Sequence, residues 1–103
     1  MDYQEKVLGI ILHGGNARSL AMEAILKAKE GNISAARKSL EEAEKELNLS
    51  HNIQTQLIQD EAAGSESEIT LLLIHAQDHF MNAMTVKDLA YEFIDLYENL
   101  YRR

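Results

Sequence analysis

The sequence has no cysteine and no proline, and it is short of positive charge. The missing cysteines exclude disulfides, thiolate zinc sites and sulfur nucleophiles, so any chemistry here must use histidine, carboxylate or hydroxyl groups. Ten Lys and Arg against seventeen Asp and Glu leave a formal charge of −7. That balance argues against nucleic acid, whose footprint is a basic patch, and against an anionic membrane surface. Apolar runs of roughly 18 residues, the length that spans a bilayer, are missing too. The opening MDYQEKV lacks the basic-then-apolar pattern of a signal peptide. The expectation is a cytoplasmic protein with no nucleic-acid partner and no direct membrane insertion.

What is present is helical. The 103 residues read as a single domain, 1–103, without a composition break. With no proline, punctuation falls to the glycines, and Gly31 and Gly64 each follow a run of helix formers, where a left-handed cap favours a residue without Cβ. The first segment opens with Asp2 and Glu5 as a capping box. It carries Val7, Leu8, Ile11, Leu20, Ala21, Ala24, Ile25 and Ala28 at helical spacing and should end near Glu30. The second opens at Asn32, an N-cap type, and aligns Ile33, Ala36, Leu40, Ala43, Leu47, Gln54, Leu57 and Ile58. Its outer face, as in ARKSLEEAEKEL, is solvated charge. The third is expected to start from a Ser65/Glu68 capping box and run from Ile69 to about Tyr101. Short connections make these an antiparallel up-down-up three-helix bundle, all-α. A 46% hydrophobic composition on so small a domain points to some apolar area buried between copies.

Two interruptions stand out. Gly14 and Gly15 in LHGGNARS each weaken a helix interior by up to about 1 kcal/mol, which close backbone approach, a local break or simple tolerance would explain. Ser50, His51, Gln54 and Thr55 insert polar groups into the second stripe, as a hydrogen-bonded layer or a solvated turn does.

The third segment contains LLLIHAQDHFMNAM. At about 100° per residue, His75, Asp78 and His79 share one helix face, which Asn82 and Val86 continue. Asp78 also falls on the stripe Leu71, Ile74, Asp78, Met81, Thr85 and Leu89, a seam suited to packing on another helix. A carboxylate there either faces solvent, pairs with His75 or His79, or meets identical carboxylates around a symmetry axis and binds a cation. The H-x-x-D-H spacing fits four readings. It can be a pair of surface or core-edge histidines beside an aspartate. It can be a metallohydrolase site, needing a third ligand such as His13 or His51. It can be a phosphoacceptor, because neutral imidazole, with a reference pKa of about 6.5, is nucleophilic near pH 7. It can also be a purely structural coiled-coil module.

The longer pattern narrows this. IHAQDHFMNAM followed by KDLAYEFIDLY resembles the active-site helix of the IIA component of the lactose/cellobiose (diacetylchitobiose) branch of the phosphoenolpyruvate-dependent sugar phosphotransferase system. GGNARS and SHNIQTQLIQDEAAG agree with it, so the similarity covers nearly the whole chain. The resemblance implies a homotrimer of three-helix subunits, a nine-helix bundle. It implies that His75 is the phosphorylated histidine, taking its phosphoryl group from the general phosphocarrier protein HPr and passing it to the cysteine of the IIB component, which serves the membrane component IIC. It implies that Asp78 from three subunits binds a divalent metal, magnesium, on the trimer axis, and that Gln77 and His79 play supporting roles. Ala76 stands where lactose-type members tend to have Gly, which tilts the sugar towards cellobiose or chitobiose. The rival is a non-catalytic oligomerisation or regulatory module of the same fold.

Overall fold

The computed structural model describes residues 2–65 and 68–102. Three helices account for nearly all of them: α1 (Tyr3–Lys29), α2 (Ile33–Ala62) and α3 (Leu71–Tyr101). The bundle is long and thin, 57 × 19 × 18 Å. None of its helices is long and apolar enough to cross a membrane among the described residues.

The helix ends follow local chemistry. Asp2 accepts from the Glu5 backbone N–H at 2.8 Å while the Glu5 side chain reaches back, which is the expected capping box. Asn32 caps α2 through the Ala35 N–H. Gly31 and Gly64 sit at φ 87° and 98°, in the region that penalises a Cβ. At each, the next residue's N–H folds back to a carbonyl of the preceding helix, Asn32 to Lys27 and Ser65 to Asp60, as in a Schellman stop. The start of α3 differs from expectation. Thr70, not Ser65, is the N-cap, accepting from the Leu73 N–H at 3.1 Å, and Glu68 and Ile69 stay outside the helix. Ile69 is 79% exposed, so extending α3 back to it would bury nothing, and Tyr3 instead holds the segment by donating to the Glu68 carbonyl at 2.8 Å.

Small residues let the helices approach closely. Ala17, Ala21, Ala24 and Ala28 of α1, Ala36 and Ala43 of α2, and Ala76, Ala83 and Ala90 of α3 are all fully buried. Val7, Ile10, Leu47, Leu57 and Phe80 form the larger part of the core at one end, and Leu40 and Ile94 at the other. Near that second end α2 is tied to α3 by Arg37, which donates to Asp95 and Glu98 at 2.9 Å each. Hydrogen bonding to Asp95, then to Glu98, raises the Arg37 pKa above its ordinary value. Leu8 and Ile58, expected on the core stripes, are instead about half exposed.

The polar layer in α2 is satisfied. Ser50 is fully buried and donates to the Ile10 carbonyl at 3.0 Å, His51 stacks on Phe80 with centroids 5.6 Å apart, and Gln54 donates to Gln77 at 2.6 Å. The glycine pair stays helical. A Cβ on Gly14 would meet the His79 carbonyl and the Phe80 nitrogen at 3.5–3.6 Å, so α1 and α3 run backbone to backbone here. Gly15 is looser, its nearest neighbour being His79 Nδ1 at 4.0 Å. Gly15→Ala should therefore fit and restore helix propensity worth about 0.5–1 kcal/mol, raising Tm by a few degrees in thermal unfolding followed by circular dichroism.

Candidate functional site

The polar cluster lies in the first turns of α3, just beyond the Thr70 cap. Helix geometry puts His75 and His79 one turn apart, and the structure brings their Nε2 atoms to 3.0 Å with the rings edge-on at 4.4 Å between centroids. One Nε2 must carry the hydrogen and the other a lone pair, so the two rings fix each other's tautomer. His75 is exposed and His79 is half-buried. His79 packs beside the glycine pair of α1, which leaves room for its ring there.

Asp78 is exposed, and so are Leu71, Ile74, Met81 and Leu89 on the same stripe. The seam seen in the sequence is thus the outer face of the subunit. The face of α3 that packs on α1 and α2 is Ala76, Phe80, Ala83, Ala90 and Ile94. Two depressions flank the cluster, and His75 and Asp78 line both. One, of about 480 Å³, is apolar, with Leu71, Leu72 and Ile74; the other, of about 350 Å³, is polar, with Arg18, His79 and Asn82.

Gln77 points to α2, where its carbonyl oxygen accepts from Gln54, leaving its own amide hydrogens as donors. His13 and His51 do not join the cluster. His13 Nδ1 lies 2.5 Å from Glu46 across the α1/α2 interface, and His51 stacks on Phe80. Among the described residues no three His, Asp or Glu side chains converge to hold a metal within one subunit, so the hydrolase reading lacks its third ligand. Arg18 is the residue that sequence reasoning passed over. It sits in the GGNARS stretch one turn beyond the glycines, but only the register of α1 against α3 places it at the site.

Residues 5–98 match the family model for the lactose/cellobiose-specific IIA subunit of the phosphotransferase system. The chain belongs to this family. It is therefore a component of the sugar phosphotransferase machinery, with the three-helix fold of the IIA subunits. It is 57% identical over 99 residues to the lichenan-specific phosphotransferase enzyme IIA component of Bacillus subtilis strain 168, spanning 96% of this chain and 90% of that protein. The crystal structure of the cellobiose-specific enzyme IIA from Bacillus anthracis superposes with a TM-score of 0.95 at 50% identity, over 100% of this chain and 95% of that one. The IIA(chitobiose) of Escherichia coli, solved in complex with HPr, superposes with a TM-score of 0.84 at 38% identity, over 98% of each chain.

Proposed function

We propose that this IIA subunit is a cytoplasmic phosphohistidine carrier in which His75 accepts a phosphoryl group from HPr and yields it to the cysteine of a IIB component, for uptake of a β-disaccharide. The observation that carries the reading is the exposed His75 ring, held by His79 through the 3.0 Å Nε2 contact on the open side of α3. A phosphoryl carrier needs a nucleophile that a donor protein can reach and little covalent help beyond positioning and charge compensation. When His79 donates, the lone pair lies on His75 Nε2 and the His75 hydrogen on Nδ1. Nε2 is then the nucleophile, and the His79 N–H becomes available to the incoming phosphoryl oxygens. Gln77, hydrogen-bonded to Gln54, has the supporting role of fixing this turn of α3 against α2. The apolar depression beside His75 suits protein docking, and no sugar site is required because the sugar binds the membrane component. Ala76, and relatives named for lichenan, cellobiose and N,N'-diacetylchitobiose, favour cellobiose or chitobiose over lactose.

Incubation with phosphoenolpyruvate and the two general phosphotransfer proteins should add a single phosphoryl group by intact-mass spectrometry, one that survives base and is lost in acid. No gain from active donors would leave a folded relative serving only as an oligomerisation module.

The exposed stripe Leu71, Ile74, Met81 and Leu89 supports assembly through α3, because monomers rarely leave so long an apolar seam wet. A trimer would bring three Asp78 carboxylates together. One subunit offers a single carboxylate in apolar surroundings, too few oxygens for magnesium, whereas three copies plus water could complete an octahedron. A bound Mg²⁺ would offset the mutual repulsion of these carboxylates. On this reading Asp78→Leu should keep the trimer and raise its stability by roughly 1–4 kcal/mol, since apolar packing replaces a buried charge cluster. Light scattering and thermal unfolding would check it; dissociation into monomers would show the carboxylates to be required for assembly.

A further inference from the structure

We infer that Arg18 is a further catalytic residue, whose guanidinium neutralises the phosphoryl group carried by His75. This rests on His75 being the acceptor and adds a group from a different helix. Arg18 and His75 line the same depression, with Asp78, His79 and Asn82, and Arg18 is the one permanent cation among the described residues that line it. The depression already holds the Asp78 carboxylate, so a phosphoryl group with close to two negative charges would enter against like charge.

Arg18 is free to answer that charge. Among the described residues Arg18 has no ion-pair partner; Lys29, Lys38 and Lys45 also have none, but only Arg18 lines the His75 depression, whereas Lys6, Lys27, Arg37, Lys87 and Arg102 are each engaged by a carboxylate. Its position follows from the parallel run of α1 along α3. Gly14 lies against His79 and Phe80, so a residue one turn further along α1 on the same face arrives beside Asn82, one turn beyond His79. Arg18 is exposed, and a guanidinium offers donors in a planar fork that matches phosphoryl oxygens. In a chain carrying −7, one unpaired cation at the acceptor also lowers the barrier to an anionic donor's approach.

In the transfer itself, the bond from phosphorus to the donor atom breaks with its electron pair leaving on the donor, and the His75 nitrogen lone pair forms the new P–N bond. The Nδ1 hydrogen stays on the ring. Arg18 forms no covalent bond; its N–H groups hold the three equatorial oxygens, over which the charge is spread while the group is in flight.

The test is single-turnover transfer from phosphorylated HPr to wild type, Arg18→Gln and Arg18→Lys, with the donor concentration varied. Arg18→Gln should lower the saturating transfer rate roughly ten- to a hundredfold, the worth of a charge-assisted hydrogen bond. Arg18→Lys should recover part of that loss, since it keeps the charge and loses the fork. The Arg18 Nε–H resonance of the wild type should move on phosphorylation, which a purely structural arginine would not do. Full transfer rates in Arg18→Gln, or a loss confined to donor affinity with the saturating rate intact, would overturn the inference. A wild type that takes no phosphoryl group would instead overturn the carrier reading beneath it. Because Arg18 is exposed, both variants should fold, and their circular dichroism should match wild type.

Discussion

His75→Ala should abolish phosphoryl acceptance while leaving the bundle folded. The loss should be complete within detection because the remaining histidines are poorly placed to substitute. His13 is engaged by Glu46 at 2.5 Å, His51 is stacked on Phe80, and His79 is half-buried against the glycine pair of α1. The fold should survive because His75 is exposed and its one hydrogen-bond partner among the described residues is His79, which can turn to water. Exposed substitutions of this kind usually change stability by less than about 0.5 kcal/mol. His75→Gln is the stricter control, since it keeps a polar group beside His79 without a nucleophilic nitrogen. The measurement is intact mass after incubation with phosphoenolpyruvate and the two general phosphotransfer proteins, with circular dichroism on the same samples. A phosphoryl gain retained by either variant would place the acceptor elsewhere. His79→Ala separates the partners' roles: it should slow acceptance by releasing the His75 tautomer, yet leave the acceptor in place.

Much of the fold was legible because its signals are local. Asp2 with Glu5, Asn32, Gly31 and Gly64 act within a turn of themselves, and each behaves as its residue type demands. The start of α3 is ambiguous in sequence because Ser65 with Glu68 satisfies the capping spacing as well as Thr70 does. Burial decides against them, since nothing packs on Ile69. The inner face of α3 was obscured for a different reason. Leu71, Ile74, Met81 and Leu89 are bulkier than Ala76, Ala83 and Ala90, so hydropathy alone points to the outer stripe as the core. In a bundle this thin many of the buried positions are small ones, which is also why Gly14 and Ala17 escape a search for large apolar residues. At the site, the shared face of His75, Asp78 and His79 follows from 100° per residue. The hydrogen bond from Gln54 to Gln77 and the arrival of Arg18 depend on how far one helix slides along another, and no short-range signal encodes that.

Phe80→Ala should be the most destabilising single change near the site. Phe80 is the largest residue of its core cluster, 2% exposed, packed among Val7, Ile10, Leu57, Ala76 and Ala83 and covered by the His51 ring. Truncation removes the aromatic stack and leaves a void that the alanines around it cannot fill, so the expected loss is about 3–5 kcal/mol. Small domains have roughly 5–15 kcal/mol in total, and each kcal/mol moves Tm by about 4–8 °C at this size. The midpoint should therefore fall by more than about 12 °C in a thermal melt of the subunit. The effect should reach function as well. Phe80 follows His79 directly, and its backbone nitrogen is part of the surface on which Gly14 of α1 rests. A cavity there loosens the contact that fixes α1 against the turn carrying His75 and His79. Phosphoryl acceptance by Phe80→Ala should fall further with temperature than that of wild type, and the decline should begin below the variant's own melting midpoint. If acceptance instead tracks the folded fraction alone, then His75 and His79 hold their geometry through α3 itself, and the packing of α1 behind them serves stability only.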